Sequence, residues 1–139
     1  MRGESVLAIH VLTYLAHNQS IISSSELARN TCAPAPRIRK IMRLLKQAGI
    51  VYTSAGATGG YQLAKPACNI TVADCMCAIK DQPVAVNWFS GDVDNACMIS
   101  SGMHHMMESL QQDLNTVCFK RLAKISIADI EAGLVAKHS

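Results

Sequence analysis

The segment from Pro34 to Gly49, PAPRIRKIMRLLKQAG, constrains this chain more than any other. Pro34 and Pro36 can open a helix, because a first-turn residue needs no partner for its N–H, and Gly49 can close one. Between them Ile38, Ile41, Met42, Leu45 and Ala48 recur at steps of three and four, which predicts an apolar stripe on a helix. Arg39, Lys40, Arg43, Lys46 and Gln47 fall on the opposite side, and Arg37 lies at the edge. Such a helix anchors itself with one face and offers cations and an amide with the other. A DNA-reading helix needs that division, since Arg, Lys and Gln reach base edges and phosphates while the stripe holds the helix to its domain. For an isolated segment the plain alternative is a solvated basic helix, so its neighbours decide.

Upstream, Ser23 stands three residues before Glu26, the spacing of a capping box. It predicts a short helix over Ser24 to Asn30 with Leu27 and Ala28 facing in. Thr31, Cys32 and Ala33 then form a tight connection to Pro34. A short helix, a three-residue turn and a second helix with a basic outer face is the helix-turn-helix layout. Cys32 sits in that turn, as a small filler residue. Downstream, Ile50 to Thr53 and Tyr61 to Leu63 are β-branched or aromatic and alternate, and the stretch between them is Gly, Ala, Ser and Thr. That predicts a β-hairpin, in which Gly59 and Gly60 give the tip its backbone freedom. A hairpin directly after a recognition helix is a wing.

Charge agrees with this layout. Residues 1–80 hold nine Lys and Arg against three acids, whereas residues 81–139 hold four against seven. No acid stands between Glu26 and Asp74. A basic half points to a polyanion, most simply double-stranded DNA, with an acidic partner protein as the alternative. Six cysteines at 32, 68, 75, 77, 97 and 118 include no CxxC pair. The expectation is reduced thiols, no structural metal site and no cofactor. The apolar run near the N-terminus carries His10, Thr13, Tyr14 and His17 and is too short and polar to span a bilayer, so the protein is expected to be cytoplasmic, with no membrane partner. No Ser/His/Asp arrangement, phosphate loop or paired carboxylates suggest an enzyme.

Elsewhere the pattern is helical. Glu4 to Asn18 reads as a helix apolar on most sides, hence buried, in part against a second subunit, with His10 and His17 as packed or interfacial residues. Thr71 and Asp74 cap a helix from Val72 to Lys80, with Val72, Cys75, Met76 and Ile79 inward and Cys77 outward. A loop with Trp88 and Phe89, read as packing residues, leads to the longest helix, about Met98 to Leu122. Ile99, Met103, Met106, Leu110, Leu114 and Val117 make a coiled-coil-like seam along it, the expected dimer interface. A last short helix, Ser126 to Leu134, has Ser126 as its cap.

The run LLKQAGIVYTSAGATGGYQLAKPACNITVADCMCAIK resembles the Rrf-two family of bacterial winged-helix regulators. Leu45, Ala48, Gly49, Ile50, Val51, Ser54, Gly56, Gly59, Gly60, Tyr61, Leu63, Ile70, Thr71 and Asp74 match its pattern, and the likeness extends over essentially the whole chain. It implies a mainly α fold with a small β-hairpin wing and a long dimerisation helix. The expected division is a winged helix-turn-helix over 1–80, a loop over 81–96, and the dimerisation and C-terminal helices over 97–139. It implies a DNA-facing set of Ser24, Pro36, Arg37, Arg39, Lys40, Arg43, Lys46, Gln47, Gly56, Thr58, Gly59, Gly60 and Tyr61. The family often has Arg before the first wing glycine; this chain has Ala55, which shifts specificity toward the recognition helix.

Several members hold an iron–sulfur cluster through three cysteines spaced about C-x5-C-x5-C. Here Cys97 stands alone in that region, with Gly91 six residues before it and Met103 six after, so a cluster is not expected. The segment is more similar to the cluster-lacking, YwnA-like branch. Cys97 sits at the predicted start of a helix, where free N–H groups favour a thiolate, while Asp92 and Asp94 oppose it by like charge. It is the candidate redox sensor, toward an oxidant or electrophile. The expected function is a homodimeric transcriptional repressor reading a pseudo-palindromic operator. The alternative is a winged-helix interaction module regulated by a partner protein or small ligand.

Overall fold

Local signals place most of the element boundaries. The computed structural model describes residues 1–138. Its helices are α1 (Gly3–Asn18), α2 (Ser24–Thr31), α3 (Ala35–Gln47), α4 (Val72–Ile79), α5 (Met98–Leu122) and α6 (Ile127–His138). Between α3 and α4 lie β1 (Val51–Ser54), β2 (Gly60–Leu63) and a single 3-10 turn at Ala67–Asn69. Ser139, the last residue of the expected dimerisation segment, lies outside the described residues. The fold is mainly α with one two-stranded hairpin, the winged-helix arrangement expected.

The caps account for where helices begin. Thr71 Oγ1 accepts the Asp74 N–H at 3.0 Å while the Thr71 N–H reaches Asp74 Oδ2 at 2.9 Å. Ser126 and Asp129 repeat that reciprocal pair at 3.0 and 2.9 Å and open α6. At α2 only half of the expected box forms: Ser23 Oγ accepts the Glu26 N–H at 3.1 Å. The last helix runs to His138, four residues beyond the predicted Leu134, because its apolar positions continue through Val135.

The core lies where α1, α2, α3, α4 and the start of α6 converge. Leu12, Leu27, Ile38, Ile41, Met42, Leu45, Ile70, Met76 and Ile127 are fully buried there. As expected, Val72, Cys75, Met76 and Ile79 of α4 face in and Cys77 is exposed. Burial, with the charge of Asp74 beside it, pushes the Cys75 thiol up to about 12, so it stays protonated. α6 packs back on α1, and the Thr71–Ser126 bridge ties its first residues to the start of α4. α5 instead meets the body through α4.

Within the chain α1 is buried on one face only. Leu7, Ala8, Val11, Leu12 and Leu15 are buried, while Val6 and both histidines are exposed. His10 Nε2 meets Asn30 Oδ1 at 2.8 Å and His17 Nδ1 meets Glu131 Oε1 at 3.2 Å. Val6, Ile9 and Tyr14 of α1 face Ile130, Leu134 and Val135 of α6 across an open apolar groove of about 970 Å³.

Among the described residues no helix is long and apolar enough to cross a membrane.

Candidate nucleic-acid interface

α3 divides as its sequence requires. Ile38, Ile41, Met42 and Leu45 are each 0% exposed, whereas Pro36, Arg37, Arg39, Lys40, Arg43, Lys46 and Gln47 are all exposed. Ala48 is the correction. It is exposed at the C-cap rather than part of the buried stripe, because the helix ends at Gln47 and the chain turns through Gly49 at φ +75°. Burial resumes at Ile50 and Val51, which carry the chain into the hairpin.

The six polar residues of the outer face are not equivalent. Among the described residues Arg39, Lys40 and Arg43 have no intramolecular hydrogen bond or ion pair. The cations at the two ends are held. Arg37 Nη2 donates to Glu4 Oε1 of α1 at 3.1 Å, and Lys46 Nζ donates to Thr53 Oγ1 of β1 at 3.1 Å. Among the described residues α3 therefore presents three free cations between two braced ones. Sequence reading missed both braces. The Lys46–Thr53 pair spans the helix–strand junction, and nothing near Glu4 in the chain points to Arg37, 33 residues away.

Ser24 is the first residue of α2, half-buried beside the Ser23 cap. Cys32 ends α2 in the left-handed region, φ +56°, with its N–H on Ala28 O, and so makes the sharp turn toward α3 without a glycine. The wing pairs Val51 with Leu63 through Ser54 with Gly60. Its side chains do not alternate: β2 is half-buried throughout and only Val51 of β1 is buried, because the ribbon projects from the body. Tyr52 Oη donates to Gln62 across the strands.

The glycines act differently from the expectation. It is Gly56, at φ +103°, that needs left-handed backbone freedom. Gly59 and Gly60 are required by close approach: a Cβ on Gly59 would collide with the Ser54 carbonyl oxygen, and one on Gly60 with that of Ile22. Ile22 and Tyr61 exchange backbone hydrogen bonds at 3.0 and 2.8 Å, which ties the root of the wing to the segment leading into α2. Thr58 is exposed at the tip.

The expected sensor and seam lie on α5. Cys97 is its N-cap residue and is exposed. Backbone N–H groups of Ser100 and Ile99 hold its thiol below the ordinary cysteine value, so the like-charge opposition expected from Asp92 and Asp94 does not prevail. Gly91, at φ +88°, brings the loop onto this first turn, where the Asp92 N–H donates to the Ser100 carbonyl at 3.2 Å. Along the seam Ile99, Met106, Leu110, Leu114 and Val117 are exposed and Met103 is half-buried. Phe89 stacks on His104 with centroids 4.3 Å apart, whereas Trp88 is 77% exposed.

The fold is that of a winged helix-turn-helix protein with a long additional helix. The Rrf2 family, described as iron-dependent transcriptional regulators, matches residues 1–133. The chain belongs to that family and is a DNA-binding transcriptional regulator. It is 30% identical over 125 residues to the protein aau3 of Rhizobium meliloti (strain 1021), covering 88% of this chain and 79% of that one. The structure of IscR from T. potens superposes with a TM-score of 0.71 at 18% identity, covering 96% of this chain and 87% of that one. CymR, the global cysteine regulator of B. subtilis, superposes with a TM-score of 0.66 at 17% identity, covering 95% of each chain.

The donor set around Cys97 does not fit an iron–sulfur cluster. Cys97 is the only thiol in the loop before α5, and Gly91 and Met103 occupy the spaced positions. Among the described residues no three His, Cys, Asp or Glu side chains converge closely enough to hold a metal ion.

Proposed function

We propose that this protein is a homodimeric repressor whose α3 reads the major groove of a pseudo-palindromic operator. One observation carries the reading: Arg39, Lys40 and Arg43 stand exposed and unpaired on a helix whose opposite face is completely buried. Such cations are ready for base edges and phosphates without first breaking an internal bond. Arg39, Lys40, Arg43 and Gln47 are assigned to the groove. Arg37, Lys46 and the phosphate-facing wing, with Ser24, Pro36, Gly56, Thr58, Gly59, Gly60 and Tyr61, form its border. Domain 1–80 binds DNA, and 97–139 dimerises across the loop 81–96.

Two bare apolar surfaces support the dimer, the seam of α5 and the groove between α1 and α6. Contiguous exposed apolar residues of this kind mark surfaces suited to a partner. A dyad through α5 would set two recognition helices about 34 Å apart, one turn of duplex, or a multiple of it. Cys97 is the proposed switch. Its thiolate would be oxidised by a peroxide-class oxidant or alkylated by an electrophile, which changes charge and volume at the start of α5.

Fluorescence anisotropy with the DNA immediately upstream of the protein's own gene tests this reading. Reduced protein, diamide-treated protein and Cys97→Ser would be titrated at several salt concentrations. Tight binding that weakens steeply with salt is expected, lost on oxidation only when Cys97 is present. Tight binding indifferent to oxidant would remove the thiol switch. Absence of salt-dependent duplex binding would replace the repressor with a protein-interaction module.

A further inference from the structure

The first turn of α1 touches both the recognition helix and the strap that leads toward α5. On one side, Glu4 pairs with Arg37 at 3.1 Å, and the Arg37 guanidinium lies so close over Gly3 that a Cβ there would sit 2.9 Å from Nη2. On the other side, the Arg2 N–H donates to Asp81 Oδ2 at 2.7 Å, Arg2 Nε to Oδ1 at 3.3 Å, and Ser5 Oγ to Oδ2 at 2.5 Å. Asp81 opens the strap, and α5 holds the next residues. The Val84 N–H donates to Asn115 Oδ1 at 2.8 Å, while Asn115 Nδ2 donates to Val84 O at 3.0 Å and Gln82 Oε1 at 3.2 Å. Asn115 is the one residue of α5 that is buried. Polar bonds run from Asn115 through residues 82–84 and Asp81 to Arg2 and Ser5; Glu4, next to Ser5 in the same first turn of α1, then carries the path to Arg37.

We propose that Glu4 is a positioning residue that withholds Arg37 from DNA phosphates, and that the Asn115–Asp81 strap sets how firmly it does so. This rests on the DNA-binding reading of α3. The carboxylate acts twice. It occupies a guanidinium that would otherwise reach phosphate, and it places a negative charge beside the approaching polyanion. Both lower affinity for duplex of any sequence while leaving Arg39, Lys40 and Arg43 free, so the device favours specific over generic binding. A shift of α5 against the body moves Asn115, the strap and the first turn of α1 together, which couples the dimerisation helix to the cation at the start of α3.

The test measures duplex affinity against salt for the full chain and for Glu4→Gln, Arg37→Gln and the double variant. Glu4→Gln is expected to tighten generic duplex binding by roughly threefold and to steepen the slope of log K against log salt by about 0.9, one additional phosphate. In the Arg37→Gln background most of that gain should vanish. An unchanged slope in Glu4→Gln, or an equal gain with and without Arg37, overturns the positioning role. Asp81→Asn and the milder Ser5→Ala test the strap, with thermal melting to select folded protein. A folded strap variant should shift affinity in the same direction as Glu4→Gln and add little to it. Unchanged affinity in a folded strap variant overturns the coupling. If wild-type protein shows no salt-dependent duplex binding, it is the DNA-binding reading that fails, and this inference fails with it. Wild-type binding with an inert Glu4→Gln defeats this inference alone.

Discussion

On α3 the residues Ile38, Ile41, Met42 and Leu45 are completely buried, while on α5 Ile99, Met106, Leu110, Leu114 and Val117 remain between 44% and 66% exposed. Both helices carry apolar residues at steps of three and four. The difference is what surrounds them: α3 is enclosed by α1, α2, α4 and β1, whereas α5 meets the body through α4. A periodic stripe therefore states that a face is to be covered, and does not state by what. Each large aliphatic side chain left in water forgoes about 1.5–3 kcal/mol. In the proposed dimer the seam is accordingly the surface where a second copy has most to contribute.

The largest expected effect tests this contrast directly. Leu45→Ala should cost roughly 3 kcal/mol in urea unfolding, a transfer loss plus a cavity in an enclosed site. That loss should not depend on protein concentration. Leu110→Asp should instead leave the helix content near that of wild type while light scattering shows dissociation. A concentration-independent collapse of Leu110→Asp would erase the distinction between the two helices.

Asp81 sharpens where the chain-internal region ends. Burial alone would raise its carboxyl, but bonds from the Arg2 N–H, Ser5 Oγ and the Gln82 N–H outweigh that and bring it to about 2, against an ordinary 3.8. A depressed folded value stabilises the fold above the unfolded value and is lost as pH falls through the folded one. About 2 kcal/mol should therefore disappear between roughly pH 4 and pH 2. Denaturation series at stepped pH, wild type against Asp81→Asn, should show the variant lacking that part of the acid sensitivity.

On the outer face of α3, Arg43→Ala should weaken operator binding by roughly tenfold with dimer and melting temperature unchanged. Full affinity retained in that variant would take Arg43 off the reading face. The smallest effect belongs to Ala48. Being exposed at the C-cap, Ala48→Ser should alter stability by under about 0.5 kcal/mol in the same urea assay. A loss of the size expected for Leu45 would return Ala48 to the core stripe.

What the sequence determined by itself is local and periodic. Thr71 with Asp74 and Ser126 fixed helix starts, because a cap is settled within four residues. The faces of α3 and α4 followed from spacing, and the hairpin from two β-rich runs around a glycine-rich centre. The exposed cations of α3 were legible because an amphipathic period assigns them to one side. Tertiary structure decided what depends on distant segments. Gly60 is a glycine because Ile22 lies against it, and Arg37 is braced because Glu4 reaches it from α1. The return of α6 to α1 and the open groove between them also came from packing. Period and capping are set by neighbours along the chain, whereas a contact between residues far apart exists only once the core has placed their elements side by side.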